Sequence, residues 1–402
     1  MRKILSFVMV IMMVLSLAAC NSNSSESSTD TQATPTTAAT DAEATAAVTQ
    51  AADAGAAVDT IAGTYPEEKV LIGVEIYDPT ESETLEMQSY FEYLAQTMNV
   101  EFKYSEAIAD ADGEMKFIED CVIAGAKGFI GYYNVSGTQQ VQSVIDYGMY
   151  YYGMADNTEI YDTFGTNPLY LGSVNLGNSE YEGGKAMGEW VLAQGYDTVI
   201  YANGGADFGV QLFINRQNGF LDALKDSSVK VITVSGFPGD QFFADQAAAL
   251  STEGLDAVCA SFNGLDFWAQ PIASTGLSET VKLATIGSVT QNFVDAFSSG
   301  TVSLLAATDI QRFGFGVGII CNAVDGNADA LKVDGKATNA AEDIWIIQNS
   351  DDCKALYDVQ VNEKVYSVED IMSLSVKVNP NASATTIADL LAGATMESLL
   401  SK

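Results

Sequence analysis

From residue 69 onward the chain alternates short apolar runs with amphipathic stretches of helical period. Residues 70–76 form a nearly unbroken apolar run, as a strand buried on both faces of a parallel sheet requires. Pro79 and Thr80 end it. Thr80 and Glu83 have the spacing of a capping box, and Met87, Phe91, Leu94 and Met98 follow at helical intervals. A second strand is predicted over 100–104. The next helix carries Met115, Ile118 and Val122 and is closed by Gly125. A strand over 128–133, a helix through Val141, Val144 and Ile145 closed by Gly148, and a strand over 149–154 complete the first series. A helix over 180–194 starts a second series. Its predicted strands are 198–202, 229–234, 255–262, 281–286 and 302–308, with helices centred near Phe220, Ala247, Gln270 and Val294, and a last helix over 313–324. This rhythm predicts an α/β fold of two doubly wound parallel sheets, helices on both faces, joined by right-handed crossovers. Ligands of such sheets sit beyond the C-terminal strand ends. Two sheets in series therefore predict a cleft between two sets of strand ends, closed by a hinge motion.

The first 66 residues do not follow this rhythm. Arg2 and Lys3 precede an apolar run over 4–17 of about 14 residues, too short for the roughly 20 a membrane-spanning helix needs. Leu17-Ala18-Ala19-Cys20 follows, and this order reads as a secretory signal over 1–20. The four residues resemble the bacterial lipobox, which implies cleavage before Cys20 and lipidation of its thiol. Residues 21–66 are mostly Ser, Thr, Ala, Asp, Glu and Gln. They lack the apolar surface to build a core and are expected to act as a disordered tether reaching roughly 35 Å.

Composition narrows the chemistry. The chain has 53 Asp and Glu against 18 Lys and Arg, a formal net charge of −35, and no His. Beyond the signal its only arginines are Arg216 and Arg312. Nucleic-acid binding lacks its basic footprint, and His-ligated metals and Ser-His-Asp catalysis are excluded. No GxSxG elbow is present. No cofactor, metal or catalytic residue is expected, so the chain reads as a binding protein rather than an enzyme. Cys121, Cys259, Cys321 and Cys353 show no CxxC spacing. They are read as free core thiols, with a Cys321–Cys353 disulfide as the alternative that export would permit.

The ordered segments resemble the type I periplasmic-binding-protein family, in its ribose- and galactose-binding group. Residues 70–76 are similar to the family's opening strand, and 114–131 to its second helix and third strand. Glu182-Gly-Gly-Lys-Ala-Met-Gly188 resembles the helix start after the first crossover. Arg216-Gln-Asn-Gly-Phe220 resembles the family's RxxGF, and 308–311 the strand that ends in a Gln at the hinge. The resemblance implies a three-strand hinge, with 67–174 plus 312–372 in the N-terminal lobe and 175–311 plus 373–402 in the C-terminal lobe. It implies a monomeric, extracytoplasmic solute-binding lipoprotein of an ABC importer, held on the outer face of the cytoplasmic membrane through Cys20. Its partners would be a permease and its ATPase. An extracellular sensor domain for a chemoreceptor or kinase shares these features and is the alternative.

Strand ends and the resemblance together give the candidate ligand residues. Tyr77 and Asp78 follow the first strand, with Glu81 close behind, and Asp156 and Asn157 follow the fourth. Asn175 lies at the first crossover. Arg216 is either a ligand contact or half of a buried structural pair. Phe242 or Phe243 would offer an aromatic face. Asn263 and Asp266 follow the 255–262 strand, and Gln311 is the hinge Gln. The acid and amide positions favour a polar, neutral, sugar-like solute, with a nucleoside or carboxylate solute as the alternative.

Overall fold

The computed structural model describes residues 64–401 apart from 77, 109, 133, 155–157 and 238. Twelve strands are found among them. They are β1 (Val70–Glu75), β2 (Val100–Tyr104), β3 (Gly128–Gly131), β4 (Tyr150–Gly153), β5 (Tyr170–Asn175), β6 (Thr198–Ala202), β7 (Lys230–Val234), β8 (Ala257–Ala260), β9 (Lys282–Ser288), β10 (Val302–Thr308), β11 (Thr338–Ala341) and β12 (Trp345–Ile347). They form two six-stranded sheets, ordered β11-β5-β4-β3-β1-β2 and β12-β10-β9-β8-β6-β7. Every pairing is parallel except that of β12 with β10. The expected pair of doubly wound sheets is therefore present. In each sheet the order reverses beside one strand, between β1 and β3 and between β6 and β8. These switch points open a crevice at the strand ends.

The strands are apolar because helices cover both faces. Ile72, Val74, Phe129, Ile130, Ile200, Val258, Leu283 and Leu305 are fully buried. In the second half, Ser179–Gln194 and Gln211–Leu224 pack backbone to backbone. A Cβ on Gly184 would come within 1.8 Å of the Arg216 carbonyl oxygen, and one on Gly219 within 2.0 Å of that of Tyr181. Only glycine permits this approach, and it sets where Arg216 stands.

The chain passes between the halves after β5, after β10 and between β11 and β12, and the structure adds a fourth passage before Tyr366 and a fifth before Ala394, whose carbonyl accepts from Trp345 Nε1 of the second half at 3.0 Å. Here the lobe boundaries differ from expectation. Residues 312–372 were assigned to the first half, but Trp345–Ile347 completes the edge of the second sheet, and the helix Ser350–Asp358 packs on the second-half helix Gln291–Ser298. The chain then returns, because Tyr90 donates from its hydroxyl to the Tyr366 carbonyl at 2.8 Å and the helix Val368–Met372 packs on Gly314–Val324. The stretch after residue 372, assigned to the second half, begins on the first. There Val376 N donates to Asn322 Oδ1 at 3.0 Å and Lys377 pairs with Asp325 at 2.8 Å. Strands of three or four residues carry too little periodicity to be placed by pattern.

A buried acid pair anchors the first half at the end of β1. Glu75 and Glu114 are both fully buried, and Gln140 Nε2 donates to Glu75 Oε2 at 3.0 Å and to Glu114 Oε1 at 2.9 Å. Glu114 also accepts from Val135 N at 2.8 Å, fixing the loop after β3. Burial, with the Glu114 carboxylate beside it, pushes the Glu75 carboxyl up to about 10. Cys121, Cys259, Cys321 and Cys353 are separate, buried free thiols, so the Cys321–Cys353 alternative is not realised.

Candidate functional site

The strand ends of the two halves face one another across a cavity of about 530 Å³. From the first half it is walled by Asp78, Thr80, Glu81, Ser82, Leu85 and Glu86, all following β1. The second half contributes Asp266 and Phe267, after β8, and Thr290, Gln291 and Asn292, after β9. Chain order explains the arrangement. The loops leaving β1 and β8 flank the switch points of their sheets, and both turn directly into helices, Ser82–Ala95 and Leu265–Ser274.

The expected capping box does not form. The helix begins at Ser82 with Glu81 at its N-cap and no side-chain cap, while Asp78 Oδ1 accepts from Thr80 N at 2.8 Å and from Thr80 Oγ1 at 2.7 Å. Glu83 reaches instead to the second half, where its Oε1 accepts from Ser288 N at 2.7 Å. Burial raises the Glu83 carboxyl, opposed by the Ser288 hydrogen bond and by the Arg312 guanidinium. Arg312 donates to the Asp309 carbonyl at 2.7 Å, pairs with Glu342 at 3.4 Å and lies 4.6 Å from the Phe313 ring centroid.

The lining is acidic. Burial pushes the Glu81 carboxyl up to about 7, and the carboxylates of Glu83, Asp266 and Asp78 add to the shift. Burial also raises Asp266. Among the described residues, no lysine or arginine lines the cavity. Among the described residues, no cluster of three or more Cys, Asp or Glu side chains is arranged to hold a metal ion.

Of the residues named from sequence, Asp78 and Asp266 stand in the wall. Asn263 is half-buried beside it, donating from Nδ2 to Asp266 Oδ2 at 3.1 Å. Gln311 is placed elsewhere, only 3% exposed. Its Nε2 donates to the Gln360 carbonyl at 2.6 Å and its Oε1 accepts from Val365 N at 2.8 Å, while Gln360 donates to the Val289 carbonyl at 3.0 Å. Gln311 therefore binds one inter-half passage to another. Arg216 forms the structural pair, with Glu180, and donates from Nη1 to the Ser261 carbonyl at 2.6 Å. It thus fixes the end of β8, from which Asn263 and Asp266 follow. Asn175 is tied to Asn339 of β11, and its Oδ1 accepts from Gly177 N at 2.8 Å. Phe242 is not a cavity face. It is core, 2% exposed between Phe262 and Trp268, because its helix turns that side onto the sheet, while Phe243 is exposed. Tyr77, Asp156, Asn157 and Cys20 lie outside the described residues.

Glu83, Thr290, Gln291 and Asn292 were not named as ligand positions from the sequence. The segment 290–292 follows the C-terminal end of β9, so the strand-end rule applied one turn further along would have reached it. The capping-box spacing of Thr80 and Glu83 masks the reach of Glu83.

No protein-family model and no curated protein matches the chain. Solved structures do. The periplasmic solute-binding protein of an ABC transporter from Actinobacillus succinogenes 130z, with bound D-allose, superposes with a TM-score of 0.58 at 12% identity, covering 71% of this chain and 99% of that one. An ABC-transporter solute-binding protein from Bacillus halodurans C-125 with bound myo-inositol gives 0.56 at 18% identity, covering 72% and 97%. The periplasmic binding protein of the arabinose ABC transporter from Shewanella sp. ANA-3, bound to L-arabinofuranose, gives 0.56 at 14%, covering 73% and 96%. No helix among the described residues is long and apolar enough to cross a membrane. The two sheets, their switch points and the facing strand ends are those of the type I periplasmic binding proteins, and this chain has their fold.

Proposed function

We propose that the chain is an extracytoplasmic solute-binding lipoprotein of an ATP-driven importer, which closes its two halves on a small, polar, sugar-like solute. The cavity carries this reading, because neither half alone encloses it. Binding energy realised only when both walls touch the solute shifts the molecule toward the closed form that a permease recognises. The superposed structures support the reading, since three of them hold bound D-allose, myo-inositol or L-arabinofuranose. Cys20 would carry the lipid anchor, and residues 21–66 would hold the folded part on the outer face of the membrane. One moving body would comprise 67–174, 314–341 and 366–382, and the other 179–308, 345–358 and 394–400.

A thermal-shift screen of pentoses, hexoses, polyols and nucleosides on the full chain tests the proposal. A solute at a hundred times its dissociation constant adds about 2.7 kcal/mol of stability. A clear rise in melting temperature with one hydroxylated ring is expected. Stabilisation by simple carboxylates alone would overturn the reading, because the lining would repel them.

A further inference from the structure

Four of the passages between the halves meet at one buried charge cluster. Glu342, on the passage from β11 to β12, is 2% exposed. Its backbone N donates to the Asn175 carbonyl at 2.8 Å and its carbonyl accepts from Ser179 Oγ at 2.9 Å, which ties it to the passage after β5. Its carboxyl accepts from Arg312 Nη1 at 3.4 Å, on the passage after β10, and from the Tyr366 hydroxyl at 3.5 Å, on the fourth passage. Asp309, equally buried, stands at the head of the passage after β10. Its carbonyl accepts from Arg312 at 2.7 Å and its Oδ1 from Gln311 N at 2.9 Å, while its Oδ2 has no hydrogen-bond partner.

Two carboxyls are thus buried against a single guanidinium. Ionising both would leave an uncompensated negative charge at the junction, and one retained proton removes it. The other ionisable groups facing the cluster, among the described residues, are Glu83 and Tyr90 of the helix Ser82–Ala95, Tyr132 after β3, Tyr366 and Asp370, and none of them is a cation. Burial keeps the three tyrosines neutral. Burial also raises both carboxyls, the Asp309 charge adds to the rise at Glu342, and Arg312 opposes it at each. The contacts of Glu342 with Arg312 and Tyr366 are long ones between separate passages, so a rotation of the halves breaks them readily and lets water reach the acids.

We infer that this cluster is a proton-linked latch on the hinge: Asp309 and Glu342 share one proton while the halves are together and release it when the halves part, so that acid favours the closed form. The direction follows from linkage. A carboxyl that holds its proton more tightly in the closed form stabilises that form fully below its open-form value, and the stabilisation is lost as pH climbs through its closed-form value. The latch belongs to the hinge and operates without any solute.

Hydrogen exchange of the Ser288 amide, which bonds to Glu83 across the halves, reads opening in the solute-free full chain. Glu342→Gln keeps an acceptor oxygen for Arg312 and imitates the protonated acid at every pH. The ratio of wild-type to variant exchange rate is therefore expected to rise about tenfold or more between about pH 6 and about pH 8. Taking the ratio at each pH cancels the intrinsic exchange rate and the titration of Glu83, which are common to both chains. Asp309→Asn should behave alike, and the melting temperature verifies which variants fold; either folded variant suffices. A ratio that is the same at both pH values, as simple relief of repulsion or loss of packing would give, overturns the inference, and so does a ratio that falls as pH rises.

Discussion

Truncation of Glu83 to alanine is expected to weaken solute binding by about ten- to a hundredfold, seen as faster release. The Glu83 carboxyl and the Ser288 N–H belong to opposite halves and are joined by a 2.7 Å hydrogen bond. Such a bond exists only while the halves are together, so its loss falls on the closed form alone. Removing the acceptor leaves a buried N–H unpaired, which costs about 1–3 kcal/mol. Every 1.4 kcal/mol taken from the closed form is a tenfold loss of apparent affinity. Glu83→Gln keeps an acceptor oxygen and should recover part of the loss. Calorimetry and stopped-flow release with the best-stabilising solute measure both. Unchanged affinity in the alanine variant would mean that closure does not run through this contact.

Glu75→Gln is expected to stabilise the protein at alkaline pH, by on the order of 2 kcal/mol at about pH 8. The sign follows from the proton. Folding raises the Glu75 carboxyl to about 10, so the folded chain keeps a proton that the unfolded chain releases above its ordinary value. The stabilisation is complete below the unfolded value and is lost as pH climbs from there until the folded group itself ionises. The wild type should therefore melt at progressively lower temperature from about pH 5 to about pH 9. Glutamine carries no such proton and still offers an acceptor to Gln140 and a donor to Glu114, so its curve should be flatter. Glu81, Asp309 and Glu342, all raised by burial, act with the same sign, and some slope will remain. A glutamine variant less stable than wild type at about pH 8 would show that Glu75 is ionised in the folded state.

The regular part of the fold was legible because burial imposes a period. The run predicted over 70–76 is β1, and the helix predicted over 180–194 is Ser179–Gln194. Segments whose placement depends on distant partners were not legible. β5 mixes Gly172, Ser173 and Asn175 into its apolar run, and β11, Thr-Asn-Ala-Ala, has no large apolar residue. Both are strands because neighbouring strands offer them ladders. At the site, the strand-end rule reached Asp78 and Asp266, since topology alone sends those positions to the crevice. It missed Glu83, because a local rule, the capping box, competed with a long-range contact that sequence spacing does not record. Phe242 and Phe243 are adjacent, and which one faces the core depends on how their helix is rolled on the sheet. For Arg216 the sequence alone allows two roles, and the close approach at Gly184 and Gly219 decides for the structural one by holding its helix against Glu180.

A single solute gripped by both halves at once is the expected bound state, and hydrogen exchange with the full chain reads that grip on each half. On adding a stabilising solute, backbone amides in 78–86 of the first half and in 264–267 and 288–292 of the second should slow together, to a similar extent and over the same concentration range. Protection confined to one half, or centred on the separate surface hollow beside Asn379, Ser383 and Asp389, would contradict it.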